Sequence, residues 1–312
     1  MPTTVYANSD PLSPVLTAES GKLIKLFDKC LVDGFGSKSA AGWQKVFYDA
    51  VENKAVYKQP LGSNEFYLHI FDNDPLFARV FMSEECSGFD DIANKFPSES
   101  NFSGGLYIYK SYKSTSNSDP ANWKIIHNSK YGGFYLWVDT YDSIDNNVCF
   151  SYFGDFKTYL PTDSFNSICA AQKIKAGNKP DQNIFLYSGT LASPKDGSYC
   201  ARRYTQAQGD FKVPFLIQSL KSSNTGLAGS KGASYPDPIT GGLLYSDIKI
   251  TEIEDGTPLL RGELPGILAP MHDKPLSNFD TFETQEQDTY IALPLRAYND
   301  TGQVFVCISE WG

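Results

Sequence analysis

Beyond Gly36 the apolar residues of this 312-residue chain stop recurring at helical spacing and fall into short aromatic or β-branched runs. Clusters of Gly, Asn, Asp, Ser and Pro separate those runs, which is the pattern of strands joined by turns. The candidate strands of the first half are Lys45–Tyr48, Ala55–Lys58, Glu65–Phe71, Phe77–Met82, Leu106–Tyr109, Trp123–Asn128, Phe134–Asp139 and Asn147–Phe153. Those of the second half are Ile184–Tyr187, Tyr199–Thr205, Phe211–Gln218, Leu243–Thr251, Thr289–Ala297 and Gln303–Glu310. With almost no helix between them, βαβ units are excluded and antiparallel sandwich or barrel-like domains are expected. The 44 aromatic residues (19 Tyr, 21 Phe, 4 Trp) weigh the same way, because flat rings pack well on a pleated, half-buried surface.

One long helix is expected, over Ser20–Asp33. Leu23, Ile24, Phe27, Cys30 and Leu31 lie on one stripe, Ser20 stands at the N-cap position and Gly34 at the stop. Lys22, Lys25, Asp28 and Lys29 would face water, giving an N-terminal amphipathic helix lying on a sheet or a partner. A shorter helix is expected over Asp90–Phe96, stopped by Pro97. Before the long helix, Pro2, Pro11 and Pro14 favour an extended arm.

The expected organisation is an arm over residues 1–19, the helix with a first β-domain over 20–175, and a second β-domain over 176–312. The seam falls in Ala171–Gln182, and Ser111–Asn122 and Ser222–Pro238 read as polar surface loops. Weak echoes make the second domain a candidate divergent repeat of the first. Ser103-Gly-Gly-Leu-Tyr-Ile recurs as Thr240-Gly-Gly-Leu-Leu-Tyr. The Phe134–Asp142 and Val148–Gly154 pair has a counterpart in Tyr290–Tyr298 and Val304–Glu310.

Charge and composition narrow the function classes. A formal charge of −9 is the wrong sign for a chain that must neutralise phosphates, and no basic stripe interleaves with the aromatics beyond the single pair Arg202-Arg203, so nucleic acid is not an expected partner. The Ser20–Asp33 helix has only three lysines and ends acidic, and no run approaches 18 apolar residues, so no membrane partner is expected. Cys30, Cys86, Cys149, Cys169, Cys200 and Cys307 form no Cys-x-x-Cys and are expected as reduced, mostly buried thiols. The start of the chain lacks a basic n-region and an apolar h-region, so synthesis in a cytoplasm is expected.

The reaction chemistry expected of this sequence is none. Its histidines, His69, His127 and His272, are too far apart for ligand spacing, and the nucleotide, nucleophile-elbow and metalloprotease motifs are absent. Two carboxylates about 5–10 Å apart suffice for glycoside hydrolysis. Candidate clusters are Asp72 with Asp74, Glu84 with Glu85, Asp90 with Asp91, and Asp139 with Asp142 and Asp145. The last lacks the glycine and distal Glu of a calcium loop. The reading is therefore of a non-enzymatic chain with no catalytic, cofactor-binding or metal-binding residues and no cofactor.

Several segments carry a resemblance. The block Pro11–Trp43 combines the helix with Gly34-Phe-Gly36-Ser-Lys38-Ser-Ala40-Ala-Gly42-Trp43. Similar stretches are Asn53–Tyr57, Phe66–Leu68, Gly104–Tyr107, Tyr152–Phe156, Gly241–Leu243, Arg261–Gly266, Pro270–His272 and Gly302–Val306. Together they resemble virion structural proteins of tailed bacteriophages. The resemblance implies a structural role in the tail, the baseplate or on the capsid surface as a decoration, with no catalytic residues to carry over. Other virion subunits would be the partners, homo-oligomers in a symmetric assembly included, and the virion the location. The alternative is a receptor- or glycan-binding module at the particle tip. An outward patch containing Trp123 or Trp137 would favour that alternative, and burial of both would favour the scaffold.

Overall fold

The computed structural model describes residues 3–98, 105–111, 118–140, 148–172, 174–175, 179–180, 198–212, 215–217, 234–254, 257–272, 275–297 and 300–311. The chain is mainly β, and its sheets are antiparallel. A central sheet runs in the order Thr3–Ala7, Asn122–Asn128, Gly133–Asp139, Val148–Asp155, Ser167–Ala170, Ser198–Arg202 and Gln208–Lys212. A small sheet joins Gln44–Asp49, Lys54–Lys58, Tyr67–Phe71, Phe77–Cys86 and Ile92–Phe96, with Leu106–Tyr109 also paired to Phe77–Cys86. A C-terminal sheet orders Phe215–Ile217, Tyr245–Glu254, Thr257–Pro270, Asp300–Cys307, Thr289–Ala297 and Thr281–Glu283, with Lys157–Thr158 added beside Thr257–Pro270. Ile174–Lys175 and Lys179–Pro180 pair separately.

The central sheet is buried on both sides. Along Gly133–Asp139, Phe134, Leu136 and Val138 enter a core shared with the small sheet and the helix, while Tyr135 and Trp137 enter a second core shared with the C-terminal sheet. Along Val148–Asp155, Cys149 and Phe153 take the first side and Val148, Phe150 and Tyr152 the second. Strand geometry sends successive side chains to opposite faces, so a strand with two buried faces needs a nearly unbroken apolar run. Phe134-Tyr-Leu-Trp-Val138 is such a run. The neighbours Phe134 and Tyr135 show the division: Phe134 meets Phe27, Trp43 and Phe153 at 5.4–5.5 Å, whereas Tyr135 meets Tyr152 at 4.6 Å and Trp311 at 5.3 Å.

On the paired strands Gly133–Asp139 and Val148–Asp155, two glycines face each other. A Cβ on Gly154, at φ 141°, would lie 2.2 Å from the Cα of Gly133, and one on Gly133 would meet the Tyr152 hydroxyl at 2.5 Å. The obstacle at Gly154 is backbone, which cannot swing aside. Gly154→Ala is therefore expected to destabilise the fold by about 3 kcal/mol, by overpacking plus backbone strain. A chemical denaturation midpoint equal to that of the wild type would refute this.

Several expectations need correction. The segment Lys22–Phe27 is α-helical, but Asp28–Asp33 continues as a π-helix ending at Gly34. The carbonyls of Cys30 and Leu31 accept hydrogen bonds from Ala41 and Trp43, so the returning chain takes acceptors that a continuing α-helix would use. Ser20 is not the cap. Its hydroxyl donates to the Asn73 carbonyl, and Asp72 from the small sheet accepts from the Leu23 and Ile24 amides at 2.7 and 3.3 Å.

The helix expected at Asp90–Phe96 is instead a strand, because Ile92–Phe96 pairs with Met82–Cys86 and buries Phe96. Residues 3–7 are extended as expected, yet they pair with Lys124–Asn128 of their own chain. Tyr6 and Leu16 are fully buried there. A cut at 175/176 would pass between Ser167–Ala170 and Ser198–Arg202, which are hydrogen-bonded neighbours in one sheet. The expected strand Ile184–Tyr187, half of the Ser111–Asn122 loop, most of the Ser222–Pro238 loop, part of the Ala171–Gln182 seam, and Ser103 and Gly104 of the first echo lie outside the described residues.

Thr257–Pro270 is the longest strand and escaped the sequence reading, since it contains three prolines. Two of them, Pro258 and Pro270, lie at its ends. Pro265 and Gly266 sit where the register against Tyr245–Glu254 shifts between Asp247–Leu268 and Lys249–Glu263. A bulge is where a residue without a ladder donor is tolerated.

Candidate functional site

The structure uses the carboxylate clusters as local braces and brings no two of them into a shared cleft among the described residues. Asp72 is buried, caps the helix and pairs with the equally buried Lys110 ammonium. Burial pushes its carboxyl up, against the pull of Lys110. Asp74 instead accepts the Leu76 amide at 2.7 Å in the following turn. Glu84 forms a two-point pair with Arg202 at 2.7 and 2.5 Å, while its neighbour Glu85 is exposed. Asp90 and Asp91 are exposed, and Asp91 accepts from Ser87. Asp139 ends a central strand, and Asp142 and Asp145 lie outside the described residues.

No two of the three histidines share a sheet. His69, in the small sheet, stacks on Phe81 at 4.4 Å with Nε2 2.8 Å from the Ser83 hydroxyl. Burial holds its imidazole down at about 3, with Lys95 acting in the same sense. His127, in the central sheet, is held down at about 4 by burial. His272, beside the C-terminal sheet, accepts the Leu244 amide at 2.8 Å. The six cysteines are free thiols, five of them buried. Among the described residues no group of three or more His, Cys, Asp or Glu could hold a metal ion, and no helix is long and apolar enough to cross a membrane.

Two buried polar centres stand out, and sequence reasoning named neither as a site. The first is Asp155, at the end of a central strand. It accepts from Gln59 Nε2 at 3.1 Å, from the Asn64 amide at 2.8 Å and from the Ser167 hydroxyl, so it ties the loop before Tyr67–Phe71 to the central sheet. Burial pushes its carboxyl up to about 6, although the donors favour the ionised form. A carboxyl near 6 could serve in proton transfer. Here, however, the three residues around it are all hydrogen-bonded into the layer junction.

The second centre is Arg261, only 1% exposed. Its Nε and Nη2 donate to the two Asp163 oxygens at 2.8 and 2.9 Å. Its Nη1 reaches Glu252, the Arg202 carbonyl at 2.5 Å and Cys200 Sγ at 3.1 Å, and its plane lies 5.1 Å from the Phe156 ring. Burial pushes the Glu252 carboxyl up, and pushes the Cys200 thiol up to about 12. A buried guanidinium shared by two carboxylates from different elements joins the central and C-terminal sheets. A signal was present, since Arg261 opens the segment Arg261–Gly266 and Asp155 lies in Tyr152–Phe156, but only the tertiary structure supplies their partners.

The tryptophans complete the inventory. Trp43, Trp123, Trp137 and Trp311 are each no more than 2% exposed. Trp123 donates to the Pro14 carbonyl and Trp137 to the Pro294 carbonyl, at 3.2 and 2.9 Å. No family model matches the chain, and no curated protein matches it.

Proposed function

We propose that this chain is a non-enzymatic structural subunit of a tailed-bacteriophage particle, built as a layered β-sandwich that assembles with other subunits in the tail, the baseplate or on the capsid surface. The supporting observation is how the chemically capable side chains are employed: Asp72, Glu84, Asp155, Asp163, Glu252 and Arg261 all brace one element against another. The segments that carry the phage resemblance supply much of that bracing, through Asp155 in one and Arg261 in another. Burial of both Trp123 and Trp137 favours this scaffold over a glycan-binding tip, because a ring that stacks on a sugar has to present its face outward.

The decisive experiment is mass spectrometry of purified phage particles, followed by a cryo-EM map. Peptides from this chain are expected at a stoichiometry matching a symmetric copy number. A particle without them, or turnover of a substrate by the pure protein, would overturn the reading.

A further inference from the structure

The two outer layers of the molecule differ in charge. Residues 1–233 hold 23 acidic and 23 basic residues, whereas residues 234–312 hold 13 acidic and 4 basic, so the whole formal charge of −9 belongs to the segment that builds most of the C-terminal sheet. The small sheet and the C-terminal sheet pack on opposite faces of the central sheet.

The small sheet turns Ala78, Val80 and Met82 towards the first core, which leaves Arg79 and Phe81 on the other side. Cross-strand pairing sets Phe71 against Arg79 and Lys54, and His69 against Phe81. The rings stack, with Phe81 4.4 Å from His69 and 5.8 Å from Phe71. Cations roof them: Arg79 lies 4.4 Å and Lys54 5.7 Å from the Phe71 centroid, and Lys95 lies 5.5 Å from that of Phe81. Attraction to the ring faces holds these charges at a fixed height over the sheet. Arg79 is half-buried and has no carboxylate partner among the described residues.

On the far layer, Thr281–Glu283 is the edge strand of the C-terminal sheet. Asp280, Glu283 and Glu286 are exposed along it, next to Phe279, which is 41% exposed. Neither Glu283 nor Glu286 has a cationic partner among the described residues. Cations over largely buried rings on one side, and acids beside Phe279, whose ring carries Lys124 at 5.2 Å, on the other, are complementary in charge.

We propose that copies of this chain associate head to tail, the cation-roofed aromatic face of the small sheet in one copy docking on the acidic Phe279–Glu286 edge of the next. This rests on the assembly reading above and names the surfaces. The two faces differ, so the contact is heterologous and association continues past the dimer.

Sedimentation of the full chain over a concentration series, at low and at high salt, tests the contact. Mass is expected to grow beyond the dimer at low salt and to fall as salt screens the charges. Arg79→Glu should weaken association about tenfold or more, and Glu283→Arg with Glu286→Arg should do the same. Mixing the two reversed proteins should restore it, since each offers the other a matched pair. Thermal melts check folding, and Arg79→Gln replaces Arg79→Glu should the latter unfold. A chain that stays monomeric, stops at a dimer, or ignores these reversals overturns the contact. Particle mass spectrometry separates the two claims: a chain present in particles but insensitive here sinks this contact alone, and one absent from particles sinks the assembly reading.

Discussion

Arg261→Met is expected to lower the stability of this protein by about 3–5 kcal/mol, because it breaks a buried ion-pair centre. Methionine fills much the same space, so lost packing is a minor part of the effect. The damage comes from Asp163 and Glu252, which stay buried with no countercharge. Asp163 is 9% and Glu252 5% exposed, and neither can reach bulk water without opening the junction between the central and C-terminal sheets. Arg261→Lys should recover only part of the loss, because an ammonium cannot reproduce the parallel pair of bonds to Asp163. Adding Asp163→Asn and Glu252→Gln to Arg261→Met should recover more, by removing the orphaned charges. Urea unfolding reads all three, as a shift of midpoint at constant slope. A midpoint for Arg261→Met within error of the wild type would show that the centre is solvated and does not clamp the layers.

The second large effect is loss of stability on mild acidification. His69 and His127 are folded as neutral imidazoles, with values near 3 and 4 against an ordinary 6.5. Unfolding restores the ordinary value, so below pH 6.5 the unfolded chain binds protons that the folded chain refuses. Their contribution is complete above pH 6.5 and is lost as pH falls towards 4 and then 3. At about 1.4 kcal/mol per unit for each group, the pair loses about 7 kcal/mol between pH 6.5 and 4.

Asp155 works in the opposite sense. Its folded value near 6 exceeds the ordinary 3.8, so the folded chain takes up that proton first and gains stability as pH falls through this window. That returns about 3 kcal/mol, so these three groups together lose on the order of 4 kcal/mol. Unfolding measured at intervals from pH 7 to pH 4 should follow this slope. In a His69→Gln, His127→Gln double variant the slope should vanish or reverse, leaving the Asp155 contribution exposed. An unchanged slope in that variant would show that the two imidazoles are not the acid-sensitive groups.

Both predictions depend on residues whose importance is invisible in one dimension. His69 sits inside Phe66-Tyr-Leu-His-Ile-Phe71, which reads as a strand, and that much is local. That its ring stacks on Phe81, with Lys95 over the Phe81 ring, follows from strand pairing. Arg261 finds Asp163 and Glu252 at 98 and 9 positions away, and no spacing rule covers the first of these. A helix and a strand cannot be told apart over the five residues Ile92–Phe96, because so short a run does not separate the two periods, and pairing with Met82–Cys86 decides for the strand.

What the amino-acid order alone determined is the class of structure: short apolar runs of strand period, cut by turn residues, leave antiparallel sheets as the way to satisfy the backbone while burying the rings. It also placed Leu106–Tyr109 and Thr289–Ala297 to the residue, because turn residues or charges bound those runs closely. Tertiary structure alone decided that one sheet is shared between two cores, that residues 3–7 close its edge, and that prolines at 258, 265 and 270 are tolerated within one long strand. The physical reason is range. Backbone preference and side-chain alternation act over a few residues, whereas burial of a second face, the pairing of a charge and the position of a bulge depend on chain segments that only folding brings together.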